Sequence, residues 1–192
     1  MDKKDEVLQD LKDAGALMEG HFVLSSGLHS SGYVQCARLL QHPELAGKYA
    51  SILSSPYRTA GIDAVIGPAL GGVVIGYETA RHLKARAIFT ERDSGGGMVL
   101  RRGFEISPGE KILIAEDVIT TGKSTGEVIK IVREKKGALA GICCLIDRSA
   151  GGFSPGVEIS SVIRLQIDSY RADACPLCKQ GVPSKKPGSR KV

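Results

Sequence analysis

Residues 112–125, Ile-Leu-Ile-Ala-Glu-Asp-Val-Ile-Thr-Thr-Gly-Lys-Ser-Thr, constrain the fold more than any other stretch. The apolar run Ile112–Ala115 reads as a buried strand, and it ends in two adjacent carboxylates, Glu116 and Asp117. A Thr-Thr-Gly turn follows. Val128, Ile129, Ile131 and Val132 then fall at helical spacing. A helix beginning at such a turn offers backbone N–H groups and the positive end of its dipole to an anion such as phosphate. Two carboxylates beside a phosphate would repel it unless they face another part of the ligand. Sugar hydroxyls are donors and are the natural target, so the stretch implies a phosphorylated ribose. Capping the following helix is the plainer role for the pair. Its position between an apolar strand and a Thr-Thr-Gly turn argues for more.

Gly122-Lys123-Ser124 looks like the end of a phosphate-binding P-loop. That motif needs a glycine five residues before its second glycine, and Asp117 stands there. A carboxylate at that place would face the phosphates the loop should cradle, so a P-loop kinase is excluded.

The remaining chain carries a strand–helix rhythm. Residues 2–18 read as an amphipathic helix with Val7, Leu8, Leu11 and Ala14 or Leu17 on one face. Phe22–Val34 reads as two extended pieces around a Ser/Gly turn. Pro43 to about Pro56 reads as a helix with proline in its first turn. Strands follow at Asp63–Ile66, Ala87–Thr90, Ala138–Ile146 and Val157–Ile163, with a short extended end at Leu165–Ile167. Gly67–Gly72 is a glycine-rich turn into a helix running to about Leu83. Such a turn serves an anion through its backbone, or close helix–strand packing, or both. Glu91–Met98 contains three consecutive glycines and reads as a mobile loop. Arg92, Arg101 and Arg102 are its cations, poised for an anion or simply solvated. The pattern predicts an α/β fold with a mainly parallel, doubly wound sheet. Ligands in such sheets bind beyond the carboxyl ends of the strands, and Gly67–Gly72, Glu91, Arg92, Glu116–Ser124, Asp147 and Arg148 all fall there. Arg148 suits a carboxylate ligand through its planar fork, or an ion pair with Asp147.

At 192 residues the chain fits one domain. No apolar run is long enough to span a membrane and the start, Met-Asp-Lys-Lys-Asp, is no signal peptide, which predicts a cytoplasmic protein. The formal net charge of +5 comes partly from Lys185, Lys186, Arg190 and Lys191, and the basic residues form no stripe with aromatics. Nucleic acid and membrane are therefore not expected partners. Five cysteines do not make a disulfide framework. Cys175-Pro-Leu-Cys178 is half of a zinc ribbon with no second half in the chain; a zinc shared across a dimer or a redox pair are its two possible uses. His21, His29, His42 and His82 lie at no metal spacing and read as structural or exposed.

Glu-Asp-Val-Ile-Thr-Thr-Gly-Lys-Ser resembles the phosphoribosyl-diphosphate (PRPP) signature of the type I phosphoribosyltransferases. Phe22–Gly27, Arg148 and the tail Cys-Pro-Leu-Cys-Lys-Gln-Gly-Val-Pro resemble the orotate branch of that family. The resemblance implies a type I phosphoribosyltransferase-like α/β fold with a small N-terminal hood. It gives a single domain over 1–192, with a hood of about 1–40 plus a C-terminal tail of about 168–192, and a core of about 41–167. It implies PRPP and orotate as substrates, Mg²⁺ as cofactor with no dedicated protein ligand, and a homodimer whose loop reaches the neighbouring subunit. PRPP binding falls to Glu116, Asp117, Val118, Ile119, Thr120, Thr121, Gly122, Lys123 and Ser124. The diphosphate falls to Ala69, Leu70, Gly71 and Gly72, orotate to Thr120 and Arg148, and catalysis to Arg92 and Asp117. The chain departs from many members in having Ser25 and Gly71 where they carry lysine, and in a loop without lysine or histidine. A purine phosphoribosyltransferase, which Arg148 argues against, and a non-catalytic PRPP-sensing regulator are the other readings.

Overall fold

A computed structural model describes residues 2–24 and 26–187. Ser25, Arg190 and Lys191, singled out above, lie outside the described residues. In chain order the elements are α1 (Lys3–Asp13), β1 (Leu17–Val23), β2 (His29–Val34), α2 (Ala37–Leu40), α3 (Pro43–Ser54), β3 (Ala64–Pro68), α4 (Gly71–Leu83), β4 (Arg86–Arg92), β5 (Met98–Leu100), β6 (Lys111–Ile119), α5 (Lys123–Glu134), β7 (Ala138–Asp147), β8 (Ile159–Arg164), β9 (Ser169–Tyr170) and α6 (Pro176–Lys179). They fall into two compact units, Leu40–Leu165, and Met1–Leu39 with Gln166–Val192.

The larger unit is built on a six-stranded sheet in the order β5-β4-β3-β6-β7-β8. All neighbours are parallel except β5, which runs antiparallel along β4. β6 lies at the centre and is apolar without alternation because both of its faces are covered. Ile112 and Ile114 join Ile66, Ile142 and Cys144 in one layer with Val128, Ile129 and Val132 of α5. The opposite pleat belongs to α4, where Gly76 brings the helix within ordinary contact of Ala115. Glycine also sets the closest approaches at the sheet's carboxyl edge. A Cβ on Gly72 would lie 2.8 Å from the Ala115 carbonyl oxygen, so this turn needs its glycines for packing whatever else it holds.

The smaller unit holds a three-stranded antiparallel sheet, β1-β2-β9. Its hairpin is longer than the sequence pattern predicts, because the first helix ends early. Gly15 takes φ +63°, which closes α1 after Asp13 and moves Leu17 from the expected helix into β1. The register of β1 shifts between Glu19 and Phe22, a bulge that leaves His21 and Phe22 both buried in succession.

Two further expectations fail. Leu165–Ile167 is not a strand; its path is set by a bond from the Leu165 N–H to the Asp147 carbonyl at 3.0 Å, and the last pairing comes later, at β9. The final strand of the large sheet begins at Ile159 rather than Val157, where the pairing with β7 starts.

Candidate active site

Every element that carries an expected site residue belongs to the larger unit. The acidic pair does not sit after β6 as expected but inside it, since the strand continues to Ile119. Ladder bonding to β7 carries β6 past the acids, with Val118 opposite Ile146 and Ile119 opposite Asp147. Alternation along the strand therefore separates the two carboxylates. Glu116 shares its face with Ile112 and Ile114. It is buried under α5 and accepts a 2.5 Å bond from the Thr125 hydroxyl. Asp117 shares its face with Leu113 and Ala115, and its carboxyl lies against the start of α4. A Cβ on Gly71 would stand 2.6 Å from Asp117 Cγ. The glycine at 71 is what leaves that space open in front of the carboxylate.

The turn after β6 is fixed by Gly122, which takes φ +72° at the N-terminus of α5. A Cβ there would also strike the Phe153 ring, so both the conformation and the space exclude a side chain. The first turn of any α-helix presents N–H groups without intrahelical acceptors, and in α5 that turn begins at Lys123 and Ser124. Arg92, at the end of β4, reaches across to this turn. Its guanidinium donates to Ser124 Oγ at 3.3 Å and pairs with Glu127 at 3.0 Å. The Arg148 N–H donates to the Ile119 carbonyl at 2.8 Å, which seats Arg148 beside Thr120. Asp147 has Arg164 Nε at 3.5 Å as an ion partner, and its Oδ1 receives the Ser149 N–H at 2.9 Å. The Ala69–Leu70 peptide of the α4 turn is cis, and the Ala69 N–H is held by the Thr90 carbonyl at 2.7 Å. Leu70 is 88% exposed.

The glycine-rich segment after β4 is a short hairpin rather than a long open loop. Arg92 pairs with Met98, and the Asp93 side chain accepts from the Gly97 N–H at 2.9 Å. Asp93 can close this turn because Gly96 takes φ +80°. Of its arginines, Arg102 is engaged by Glu91 through two 2.7 Å bonds.

Phosphoribosyl transferase domains match residues 35–172 of the chain. Orotate phosphoribosyltransferase of Caldicellulosiruptor bescii is 50% identical over 188 residues, covering 98% of both chains. The enzyme of that name from Thermotoga maritima is 49% identical over 180 residues, 94% of this chain and 96% of the relative. Among solved structures, orotate phosphoribosyltransferase from Aeropyrum pernix superposes with a TM-score of 0.70 at 28% identity, over 83% of this chain and 93% of that one. The chain belongs to the orotate phosphoribosyltransferase family. An adenine phosphoribosyltransferase from Rhodothermus marinus shares the fold at a TM-score of 0.65 and 22% identity, over 84% of this chain and 99% of that one.

Read as an orotate phosphoribosyltransferase family member, the chain gathers Gly71, Arg92, Asp117, Ser124 and Arg148 at one edge of its sheet. Sequence reasoning missed Thr125, Glu127, Phe153 and Arg164. Thr125 lies one turn into α5, and its hydroxyl reads as an ordinary helix residue until the strand is known to continue past Glu116. Burial pushes the Glu116 carboxyl up to about 7. The Thr125 hydroxyl opposes that rise, the Asp117 charge adds to it, and Arg92 opposes it. Burial also raises Asp117, against the pull of the Val118 N–H.

A carboxyl whose pKa is raised on folding favours the folded state most below its unfolded value of 4.5 and loses that contribution as pH climbs through about 7. Glu116→Gln keeps the acceptor for Thr125 and removes the titration. Urea unfolding should show the variant gaining on the parent by about 2 kcal/mol between pH 5 and pH 8. A difference that stays flat with pH would mean that Glu116 is ionised throughout.

Proposed function

We propose that this chain transfers ribose 5-phosphate from PRPP to N1 of orotate, giving orotidine 5′-monophosphate and diphosphate, a step of pyrimidine biosynthesis. The observation that carries the site assignment is the position of Asp117, which opens on the Gly71 turn of α4 while its strand leads into the Gly122 turn of α5. One strand thus links two anion-suited turns, the separation a sugar with a phosphate at one end and a diphosphate at the other requires.

In this reading the backbone of Thr120–Ser124 takes the 5′-phosphate, with Val118, Ile119 and Lys123 framing it. Asp117, with Glu116 behind it, receives the ribose hydroxyls and stabilises positive charge developing on the sugar carbon. The Ala69–Gly72 turn takes the diphosphate through main-chain N–H groups, as Gly71 supplies no side-chain cation. Arg92, already at Ser124, adds the nearest fixed positive charge to the phosphate turn. An arginine does not give up its proton near neutral pH, so its part is electrostatic. Arg148 clamps the orotate carboxylate beside Thr120. The protein's contribution is positioning and electrostatic stabilisation rather than covalent chemistry.

The space in front of Asp117, which a Cβ at Gly71 would fill, and the hard oxygen donors beside it fit Mg²⁺. Asp117 would hold the ion's water shell, and the ion would neutralise charge on the departing diphosphate. Free thiols among the described residues suit a reducing compartment, in keeping with a cytoplasmic enzyme. No helix of the described residues is long and apolar enough to cross a membrane. A homodimer completes the reading. It is supported by the exposed apolar residues Leu70, Val74 and Tyr77 at helical spacing about the start of α4.

Orotate absorbance followed with purified protein, PRPP and Mg²⁺ should fall, and uracil, adenine and hypoxanthine should give no product. Arg148→Ala should weaken orotate binding at least about tenfold, the loss of a charge-assisted bidentate contact, while PRPP affinity stays. Turnover of a purine would move the substrate. Tight PRPP binding without any turnover would leave a sensor. In sedimentation the parent should run as a dimer, and Tyr77→Glu should shift it toward monomer; an unshifted variant would place the interface elsewhere.

A further inference from the structure

In the smaller unit, four side chains that the active-site reading does not use converge on one point. His21 comes from β1, His29 from β2, and Cys175 and Cys178 from the segment that opens α6. Their four candidate ligand atoms all lie within 4.8 Å of one another. His21 Nε2 is 3.6 Å from Cys175 Sγ and 3.7 Å from Cys178 Sγ. His29 Nδ1 is 3.3 Å from Cys178 Sγ and 2.7 Å from His21 Nε2.

The hydrogen bond on the far side of His21 fixes its tautomer. Nδ1 lies 2.7 Å from the Val182 carbonyl oxygen, which can only accept. The proton is therefore on Nδ1, and the Nε2 lone pair faces the cluster. A ring that gives its other N–H to a backbone carbonyl is oriented as metal-bound histidines are. His21 is also buried, at 4% exposure, as is Cys175, so two of the four groups have exchanged water for one another.

We propose that His21 Nε2, His29 Nδ1, Cys175 Sγ and Cys178 Sγ form a closed, four-ligand site for a structural zinc ion. Two nitrogens and two thiolates with no open position are a donor set that tetrahedral Zn²⁺ takes in structural sites. With Zn–N of about 2.0 Å and Zn–S of about 2.3 Å, the edges of such a tetrahedron run from about 3.3 to about 3.8 Å. The observed nitrogen–sulfur separations lie in that range. The two imidazole nitrogens stand closer and would part by about half an ångström as the ion enters. Both thiol protons leave to solvent, His29 keeps its remaining proton on Nε2, and Zn²⁺ with two thiolates is neutral overall.

The backbone already ties the same segments. Lys185 N–H donates to the His21 carbonyl at 2.8 Å, Val23 N–H donates to the Lys185 carbonyl at 2.9 Å, and β9 pairs with β2 next to His29. The ion would fasten the end of the chain to its first hairpin. A unit of this size, with few large buried side chains of its own, is the kind that uses a metal staple.

The test uses the full-length chain without an affinity tag, purified under reducing conditions from zinc-containing medium. Elemental analysis should find about one zinc per chain after dialysis. Apo-protein prepared with a chelator and titrated with Co²⁺ should develop the intense visible bands of a tetrahedral, thiolate-ligated ion. Cys178→Ser, at an exposed position that should not impair folding, should lower metal affinity at least about 100-fold. Zinc well below one equivalent together with a pale, octahedral Co²⁺ spectrum would overturn the proposal. So would a Cys175–Cys178 disulfide in the reduced preparation, or a Cys178→Ser variant that binds Co²⁺ as the parent does. None of these readings depends on turnover, so they stand apart from the enzymatic assignment.

Discussion

The two-residue alternation of β6 is the constraint on which the site depends. Helices cover the strand on both faces, which forces Ile112–Ala115 to be apolar on both pleats. The same alternation continues past Ala115, where polar residues begin. Glu116 is carried under α5 and Asp117 toward α4. Adjacent in sequence, the two acids serve different neighbours. One is held in a buried bond to Thr125, and the other borders a turn whose glycine keeps the adjoining space open. Slipping the strand by one residue would exchange these environments and bury the apolar residues of the wrong pleat.

Much of the larger unit was legible in the sequence because its signals are local. Apolar runs followed by glycine-rich turns and helical spacing located β3, α4, β6, α5 and β7 within a few residues. What escaped was set by pairing rather than by pattern. The extension of β6 through its acidic residues depends on β7 supplying a ladder partner out to Asp147. The hairpin at Asp93–Gly97 depends on β5 pairing back along β4, while three glycines by themselves suggest only an open loop. Arg164 as an ion partner of Asp147 follows from the register of β8 against β7 and has no signature in the sequence.

The histidines show the same limit more sharply. In a regular strand His21 and Phe22 would point to opposite faces, and His21 would read as a surface residue. The bulge between Glu19 and Phe22 buries both. His29 faces His21 because of the hairpin's register, and the two cysteines arrive from more than a hundred residues away. Ligand spacing along the chain could not reveal a cluster assembled from both ends of it. The larger unit owes its order to a two-faced apolar core, whereas the smaller one draws on backbone pairing and a polar knot.

The most direct test of the account is a crystal structure of the chain grown with orotidine 5′-monophosphate. The account predicts the phosphate on the main-chain N–H groups of Thr120–Ser124, the ribose hydroxyls toward Asp117 on the Gly71 side, and the base carboxylate on Arg148. A nucleotide bound with its phosphate away from the Gly122 turn, or with Asp117 out of reach of the ribose, would contradict it.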